Sequence, residues 1–230
     1  MNDRSHLQFE VGYNSGNGSL DDHGNGRPLQ SFAHNAKKRC ILASLAIVMN
    51  LQPSVATSGQ PTLASWLPAR QAMPAPRGFQ DVCARYAWAC ARGGDARVNA
   101  NSLLKLAKSV NSHVNRTTRQ ITDKRQFGTE DFWTLPTSRG GDCEDFALLK
   151  KMKLIKQGVP ANRLLISTVL DRRRAPHAVL VLRTDAGDFV LDNLNNQVKR
   201  WQDTGYTFLR MQNPNTPSRW DAVMAGGVFS

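Results

Sequence analysis

Residues 140–150 read Gly-Gly-Asp-Cys-Glu-Asp-Phe-Ala-Leu-Leu-Lys, a glycine pair followed by an acidic turn and an apolar run. The apolar spacing predicts a helix from Asp142 to Gln157 with one face turned inward. Gly158 and Pro160 follow, which is the usual signal for the end of a helix. Cys143 therefore opens a helix, where the positive end of the helix dipole favours the thiolate, the reactive form of cysteine.

Apolar spacing also predicts the elements on either side of this helix. Residues 96–120 are predicted to form an amphipathic helix, because apolar side chains recur there at mostly helical intervals, at Val98, Leu103, Leu106, Val110 and Val114. Three strands are predicted downstream, and Val198 and Trp201 begin a further strand or turn. The three strands are Leu164–Leu170, Ala178–Arg183 and Phe189–Asp192, the last two forming a hairpin. One or two helices followed by antiparallel strands indicate an α+β fold.

The hairpin brings a histidine and an aspartate together if its register is the simplest one. With Arg183 opposite Asp188, side-chain alternation puts His177 and Asp192 on one face as diagonal neighbours. At that separation an imidazole is within reach of a carboxylate. A loop one residue longer or shorter would place the two side chains on opposite faces, so this prediction depends on the register.

Cys143, His177 and Asp192 together match the requirements of catalysis by a thiol nucleophile. Cys143 is predicted to attack a carbonyl carbon, His177 to take and return the proton, and Asp192 to orient the imidazole. The attack forms a thioester, which either water or an amine resolves. A lone Cys, His or Asp is more often structural, and it is the combination of the three that indicates catalysis.

Three acidic residues crowd the predicted nucleophile, and they favour two interpretations. Asp142, Glu144 and Asp145 flank Cys143, and negative charge this close disfavours a thiolate. A bound cation would cancel that effect, and carboxylate oxygens are ligands that Ca²⁺ prefers. The alternative is an ordinary acidic first turn that complements the helix dipole.

The N-terminal quarter of the chain is typical of an exported protein. Residues 1–36 are rich in Gly, Asn, Asp and Ser and are predicted to be disordered. A basic patch at 37–39 and an apolar run at 40–51 predict a signal peptide cleaved after Ala56, and hence a periplasmic or secreted protein. A buried core helix and an uncleaved anchor are the alternatives, although the run is shorter than the roughly 20 residues that span a bilayer.

This interpretation divides the chain into three parts. A disordered leader with the signal peptide occupies residues 1–56, a Pro- and Gly-rich extension occupies 57–95, and the catalytic domain occupies 96–230. The extension resembles an extended lead-in more than a separate domain, because Pro, Gly and Ser are frequent in residues 57–80.

The cysteines fit an oxidising compartment. Removal of Cys40 with the signal peptide leaves three, of which Cys83 and Cys90 can pair while Cys143 stays free. Seven residues of straight helix span about 10.5 Å, whereas a disulfide needs Cα atoms within about 7 Å. A Cys83–Cys90 bridge therefore requires the segment to bend, and the alternative is two unpaired, half-buried thiols.

The formal net charge of +12 suits an anionic surface, an acidic protein substrate or nucleic acid. We predict no nucleic-acid partner, because the sequence shows neither a nucleic-acid-binding motif nor a long basic helix. The three arginines at 172–174 are more typical of a solvated loop than of a phosphate clamp.

The segment 141–150 resembles the nucleophile motif of the bacterial transglutaminase-like cysteine proteinases (BTLCP), the family of the LapG-like periplasmic cysteine proteases. Residues 176–180 and 187–193 resemble the His and Asp segments of that family. Val110-Asn111 with Val114-Asn115, and Thr122-Asp123 with Phe127-Gly128, are also similar to it. The similarity runs from about residue 79 to residue 220.

The resemblance implies a papain/transglutaminase-like α+β fold, in which the helix that bears the nucleophile packs on an antiparallel sheet. It implies the same roles for the triad and a Ca²⁺ cofactor, with Asp142 and Glu144 as ligands and Asp145 as a further one. LapG-like members cleave large surface adhesins under the control of a cyclic-di-GMP-responsive membrane receptor. The resemblance thus implies a protein substrate at the cell envelope or surface and a membrane-receptor regulator.

Three functions are compatible with these features. The first is an exported cysteine peptidase that acts on an envelope or surface protein. The second is a transglutaminase-like acyltransferase, in which an amine resolves the same thioester. The third is a non-catalytic binding module on the same fold, which the complete triad disfavours. Nothing in the sequence indicates an oligomeric state.

Overall fold

The structure, a computed structural model, describes residues 65–93 and 99–229 of the 230-residue chain. The predicted leader and signal peptide at 1–56, including Cys40, lie outside the described residues, and so does Val98. Among the helices that the structure describes, none is long and apolar enough to cross a membrane.

Seven strands of the described chain form one antiparallel sheet. They are β1 (Ala72–Met73), β2 (Leu164–Leu170), β3 (Pro176–Thr184), β4 (Gly187–Leu191), β5 (Lys199–Arg200), β6 (Thr207–Gln212) and β7 (Trp220–Ala225). Their order across the sheet is β1-β7-β6-β2-β3-β4-β5. The bounds of β2 are those predicted from the sequence, whereas β1, β6 and β7 were not predicted.

Helices pack on this sheet, which confirms the predicted α+β fold. They are α1 (Val82–Arg85), α2 (Ala100–Thr117), α3 (Asp123–Phe127) and α4 (Cys143–Lys156). Helix α2 begins after Asn99, whose side chain accepts a hydrogen bond from the Ser102 backbone N–H at 2.8 Å, a typical N-cap. Helix α4 is the helix predicted from Asp142 to Gln157, one residue shorter at each end.

The β3–β4 hairpin has the register that the sequence analysis assumed. Arg183 lies opposite Asp188, and Thr184 lies opposite Gly187. Alternate side chains therefore enter two cores: Ala178, Leu180 and Leu182 pack toward α2 and α4. On the other face, Val179 and Val181 join a second buried cluster with residues of β2 and β6. Both faces of β3 are thus fixed by burial of apolar surface, which makes a slip of one residue costly.

The chain that precedes the helices crosses to the far edge of the sheet. Near the β3–β4 turn, the Leu67 backbone N–H donates to Asp188 Oδ2 at 2.9 Å, and Arg183 donates to the Leu67 carbonyl at 3.1 Å. Leu67 is buried in the second core. Arg70 then hydrogen-bonds the Val223 carbonyl, and β1 pairs with β7. Residues 65–73 of the predicted extension are therefore part of the sheet and of its core.

A disulfide joins Cys83 and Cys90, with their Cα atoms 5.5 Å apart. The chain bends between them, as the sequence analysis required: α1 ends at Arg85, and a 3₁₀ turn at Ala87–Cys90 follows. Tyr86 joins the two with φ −134° and ψ 76°, which takes it out of the helical conformation. The free cysteine of the described residues is Cys143.

Candidate active site

Two glycines, Gly140 and Gly141, form the tight turn that precedes Cys143. Gly140 has φ +120°, and a Cβ there would lie 2.0 Å from the Arg119 carbonyl oxygen. A Cβ on Gly141 would lie 2.5 Å from an Asp145 carboxylate oxygen. Only glycine fits such a close approach at both positions. The tight turn delivers the chain directly into α4, so that Cys143 occupies its first position.

The structure brings His177 and Asp192 together at the N-terminal end of β3. The His177 Nε2 atom lies 2.9 Å from Asp192 Oδ1, and both side chains are buried. Because Nε2 is engaged by the carboxylate, Nδ1 is the ring nitrogen that remains for a second partner. These two residues occupy the positions that the hairpin register predicted for them.

Further donors hold Asp192 in place. The Leu194 backbone N–H donates to Oδ1 at 2.9 Å, and the Tyr206 hydroxyl donates to Oδ2 at 2.6 Å. Burial alone would raise the pKa of Asp192, but the hydrogen bond and charge of His177, with the donors Tyr206 and Leu194, lower it below its usual value. Asp192 therefore stays ionised beside the imidazole.

Helix α2 supports the loop that carries Asp192. Asn115 donates from Nδ2 to the Asp192 carbonyl at 2.9 Å. Asn111, one turn earlier, donates to the carbonyls of Asn195 and Asn196 at 2.9 and 3.1 Å. Two side-chain amides on one helix face thus fix the backbone on both sides of the loop. In the sequence both asparagines were named only for their similarity to the family, and their partners were not predicted.

Cys143 lies beside this pair. Its thiol donates a hydrogen bond to Glu144 Oε2 at 3.1 Å. Helix α4, which carries Cys143, packs against β3, which carries His177. Burial raises the pKa of the Cys143 thiol well above its usual range, and the charge of Glu144 raises it further. The helix start alone was expected to favour the thiolate, but burial and the neighbouring acid outweigh it.

Cys143 and His177 line one cleft, which has a volume of about 720 Å³. Residues 74–77, which follow β1, form one wall, and residues 130–133 form another. Asp131 joins these walls, because it accepts a hydrogen bond from the Gly78 backbone N–H at 2.8 Å and another from the Trp133 indole at 2.6 Å. The cleft is large enough for several residues of an extended peptide.

A cluster of carboxylates lies close to Cys143. Asp123, Asp142 and Asp145 each offer an oxygen, and these oxygens lie within 4.8 Å of one another. Asp142 Oδ2 also accepts a hydrogen bond from the Asp123 backbone N–H at 3.0 Å. Glu144 borders the cluster: its carboxyl accepts a hydrogen bond from the Cys143 thiol, and burial and the nearby charge of Asp142 raise its pKa. Of the predicted ligands, Asp142 and Asp145 belong to the cluster and Glu144 lies at its edge.

Comparison with protein-family models gives a match over residues 69–227, to the bacterial transglutaminase-like cysteine proteinases (BTLCP). The chain belongs to this family. As a BTLCP member it is a transglutaminase-like cysteine peptidase, and its α+β architecture is the transglutaminase-like fold. The family resemblance seen in the sequence is thereby confirmed. No curated protein matches the chain.

Solved structures of LapG from Legionella pneumophila are similar to this BTLCP chain. The calcium-bound form is 26% identical, with a TM-score of 0.45, and the match covers 56% of this chain and 76% of that one. The EGTA-treated form is 28% identical, with a TM-score of 0.42 and coverages of 50% and 68%. A third LapG structure is 27% identical, with a TM-score of 0.44 and coverages of 56% and 75%.

The chemistry of the carboxylate cluster in this BTLCP chain fits a hard cation. One oxygen each of Asp123, Asp142 and Asp145 is buried without a hydrogen-bond partner. Burial and the charge of neighbouring acids raise the pKa of Asp145 to about 8 and that of Glu144 to about 9. The pKa of Asp123 is raised as well, again chiefly by burial. An all-oxygen donor set with unpartnered, mutually repelling carboxylates is the kind of site that Ca²⁺ occupies.

Asp123 and Tyr206 are the site residues that sequence reasoning missed. Asp123 lies nineteen positions before Asp142, in a five-residue helix that apolar spacing does not reveal. The similarity of Thr122-Asp123 to the family was the only signal that pointed to it. Tyr206 precedes a strand that was not predicted, so nothing connected it with Asp192.

Proposed function

We propose that this peptidase acts through a triad of Cys143, His177 and Asp192 and a thioester intermediate. The observation that carries the proposal is the convergence of three features on one cleft. A thiol opens α4 in that cleft, His177 lines the same cleft, and the His177 imidazole is paired with the buried Asp192. This is the arrangement that nucleophilic catalysis by cysteine requires.

The first half of the reaction forms the thioester. Nδ1 of His177 takes the thiol proton as Sγ of Cys143 bonds the carbonyl carbon of the scissile peptide, and the carbonyl π pair moves onto oxygen. The Cys143 backbone N–H, at the first position of α4, is free to donate toward that oxygen. When the pair returns, the C–N bond breaks, and the imidazolium gives its proton to the departing amine.

The second half releases the product. His177 takes a proton from water as the water oxygen bonds the thioester carbon. The C–S bond then breaks, and the His177 imidazolium returns the proton to the Cys143 thiolate. In both halves Asp192 holds the Nε2–H side of the ring and stabilises the imidazolium. The lowered pKa of Asp192 supports this role, because the carboxylate stays ionised throughout.

We further propose that Ca²⁺ is the cofactor. Asp123, Asp142 and Asp145 would hold it, with Glu144 beside them. The bound cation supplies positive charge that offsets the carboxylates around the Cys143 thiol. The unpartnered buried oxygens of the three aspartates support this proposal.

We also propose that the protein is exported by the signal peptide predicted at residues 1–56 and cleaves a protein of the cell envelope or surface. A membrane-receptor regulator, as the family resemblance implies, belongs to the same proposal. A cleft of about 720 Å³ that opens to solvent beside Cys143 and His177 supports a polypeptide substrate.

N-terminal peptide profiling tests this function. Cell-envelope proteins of the producing bacterium are incubated with the wild-type protein, Cys143→Ala or His177→Ala, each with calcium or with a chelator. We expect new N-termini with the wild type in calcium and none with either variant, because both lack a group that forms the thioester. Loss of these N-termini on chelation would support the proposal that Ca²⁺ is the cofactor.

Two other outcomes would contradict the proposal. The same new N-termini with Cys143→Ala would exclude Cys143 as the nucleophile. No new N-termini, together with incorporation of a labelled primary amine into envelope proteins, would identify an acyltransferase in which the amine resolves the thioester.

A further inference from the structure

Tyr206 contacts both members of the His177–Asp192 pair. Its hydroxyl donates to Asp192 Oδ2 at 2.6 Å. Its ring meets the His177 ring edge-to-face, with centroids 5.9 Å apart and planes at 89°. The side chain is buried in the second core, with 9% of its surface exposed. One residue therefore fixes the carboxylate by a hydrogen bond and the imidazole by a ring contact.

The local backbone holds Tyr206 in this position. A 3₁₀ turn at Trp201–Thr204 ends at Gly205, which has φ +71°. The Thr204 hydroxyl then accepts a hydrogen bond from the Tyr206 backbone N–H at 3.1 Å. Directly afterwards β6 begins, with Thr207 paired to Leu170 of β2. The backbone is thus fixed on both sides of Tyr206, and this fixes the position from which its ring contacts His177.

The two carboxylate oxygens of Asp192 have different partners. Oδ1 receives His177 Nε2 and the Leu194 backbone N–H. Among the described residues, Oδ2 receives only the Tyr206 hydroxyl. Without that hydroxyl, a buried carboxylate oxygen would lose its partner, and the carboxylate would be held through Oδ1 alone.

We propose that Tyr206 is a positioning residue of the catalytic apparatus, one that acts through Asp192 to hold the His177 imidazole in its reactive orientation. The inference rests on the proposed triad. The hydroxyl keeps Oδ1 turned toward Nε2–H, so that Nδ1 faces the thiol. Its hydrogen bond also favours the ionised form of Asp192, which stabilises the imidazolium. The effect of Tyr206 on catalysis must therefore disappear when Asp192 has no carboxylate.

A purely structural role makes a different prediction. Tyr206 also fills space in the second core, and loss of that packing would lower stability without regard to Asp192. Tyr206→Phe separates the two roles, because it keeps the ring and its contact with His177 and removes only the hydroxyl.

The experiment uses the full chain with saturating calcium and p-nitrophenyl acetate as the probe. An activated thiol takes the acetyl group as a thioester and releases the coloured phenol, so the burst rate reports acylation and its amplitude counts active molecules. The variants are Tyr206→Phe, Asp192→Asn and the double variant. Tyr86→Phe is the matched control, because its part-buried hydroxyl hydrogen-bonds Thr134 at 2.9 Å and does not touch the triad.

We expect Tyr206→Phe to lower the burst rate per active molecule about 10-fold, the effect of losing a hydrogen bond to a charged group. The acid limb of its pH profile should move to higher pH, because Tyr206 helps to keep the pKa of Asp192 low. In the Asp192→Asn background the same change should have no further effect. Tyr86→Phe should leave the acid limb where it is in the wild type.

The inference is overturned if Tyr206→Phe lowers the rate equally in both backgrounds, or if its acid limb does not move. Dividing the burst rate by the burst amplitude corrects for any fraction of the variant that is unfolded, so the comparison holds even if the variant is less stable. A wild-type burst rate for Asp192→Asn would be a separate failure, because it removes the proposed triad itself whatever Tyr206 does.

Discussion

At the scale of single residues, Gln212 shows how the nucleophile helix is secured to the sheet. Its Oε1 accepts hydrogen bonds from the buried Lys151 ammonium at 2.8 Å and from the Ile166 backbone N–H at 3.1 Å. Its Nε2 donates to the carbonyls of Ala89 and Pro217. One amide therefore joins α4, β2 and the disulfide segment, and it is the partner of a lysine that the fold buries. Burial lowers the pKa of Lys151 to about 7.

Lys151→Met should remove a pH dependence of stability. Between the folded pKa of about 7 and the ordinary value of 10.5, the unfolded chain binds more protons at Lys151 than the folded chain does. The wild type should therefore gain stability as pH rises through this range, by a few kcal/mol, on the order of 4. The check is the free energy of urea unfolding from pH 7 to 10, as the difference between wild type and variant.

Lys156→Met is the control, because Lys156 is exposed on the same helix. It should show no pH-dependent difference from the wild type. A constant difference between wild type and Lys151→Met over this range would mean that Lys151 stays charged in the folded protein.

At the scale of elements, the N-terminal ends of α3 and α4 meet through their acidic residues. The Asp123 backbone N–H at the start of α3 donates to Asp142 Oδ2 just before α4. Asp145, in the first turn of α4, accepts the Thr134 backbone N–H at 2.9 Å. The carboxylates thereby connect two helix ends and the loop between them. A cation at this point would stabilise the whole corner that presents Cys143.

Calcium should stabilise the protein more as pH rises. The raised pKa values of Asp145 and Glu144, about 8 and about 9, mean that protons compete with a cation for these groups. The increase in Tm caused by calcium, relative to a chelator, should grow from pH 5 to pH 8 and follow ligand concentration. Asp123→Asn should largely abolish the increase.

Glu130→Gln is the matched control, since Glu130 is exposed and paired with Lys124 at 3.1 Å on the cleft rim. It should keep the full calcium response. The same calcium response in Asp123→Asn as in the wild type would exclude the carboxylate cluster as the binding site.

Elements with a strong local signal were predictable, and those fixed by distant contacts were not. Helix α4 and the β3–β4 hairpin have apolar spacing and clear ends, so the sequence indicated their positions to within two residues and the shared face of His177 and Asp192. Strands β1 and β7 pair through contacts more than a hundred residues apart, as with Ala72 and Asp221. Tyr206 and Asp123 reach the site through contacts with residues 14 and 19 positions away, beyond the range of any helix or strand period.

At the scale of the whole molecule, the cleft is assembled from three distant segments. Residues 74–77 form one wall, and hydrogen bonds hold the chain that precedes them. Leu67 bonds Asp188 of β4, and Arg70 bonds Val223 of β7. Residues 130–133 form the other wall, and the Asp131–Gly78 contact joins the two. Cys143 lines the same cleft, on the helix that packs against β3. The shape of the cleft is therefore a property of the complete fold.

Mass spectrometry of the acyl-enzyme tests the central claim, that Cys143 is a nucleophile activated by His177, most directly. The full chain with calcium is mixed with p-nitrophenyl acetate, quenched in acid and mapped by peptide. We predict one acetyl group on Cys143, removed by neutral hydroxylamine as a thioester is, and absent from His177→Ala at the same time point. Acetylation of Cys143 at the wild-type rate in His177→Ala, or acetylation of lysines with Cys143 unmodified, would contradict the account.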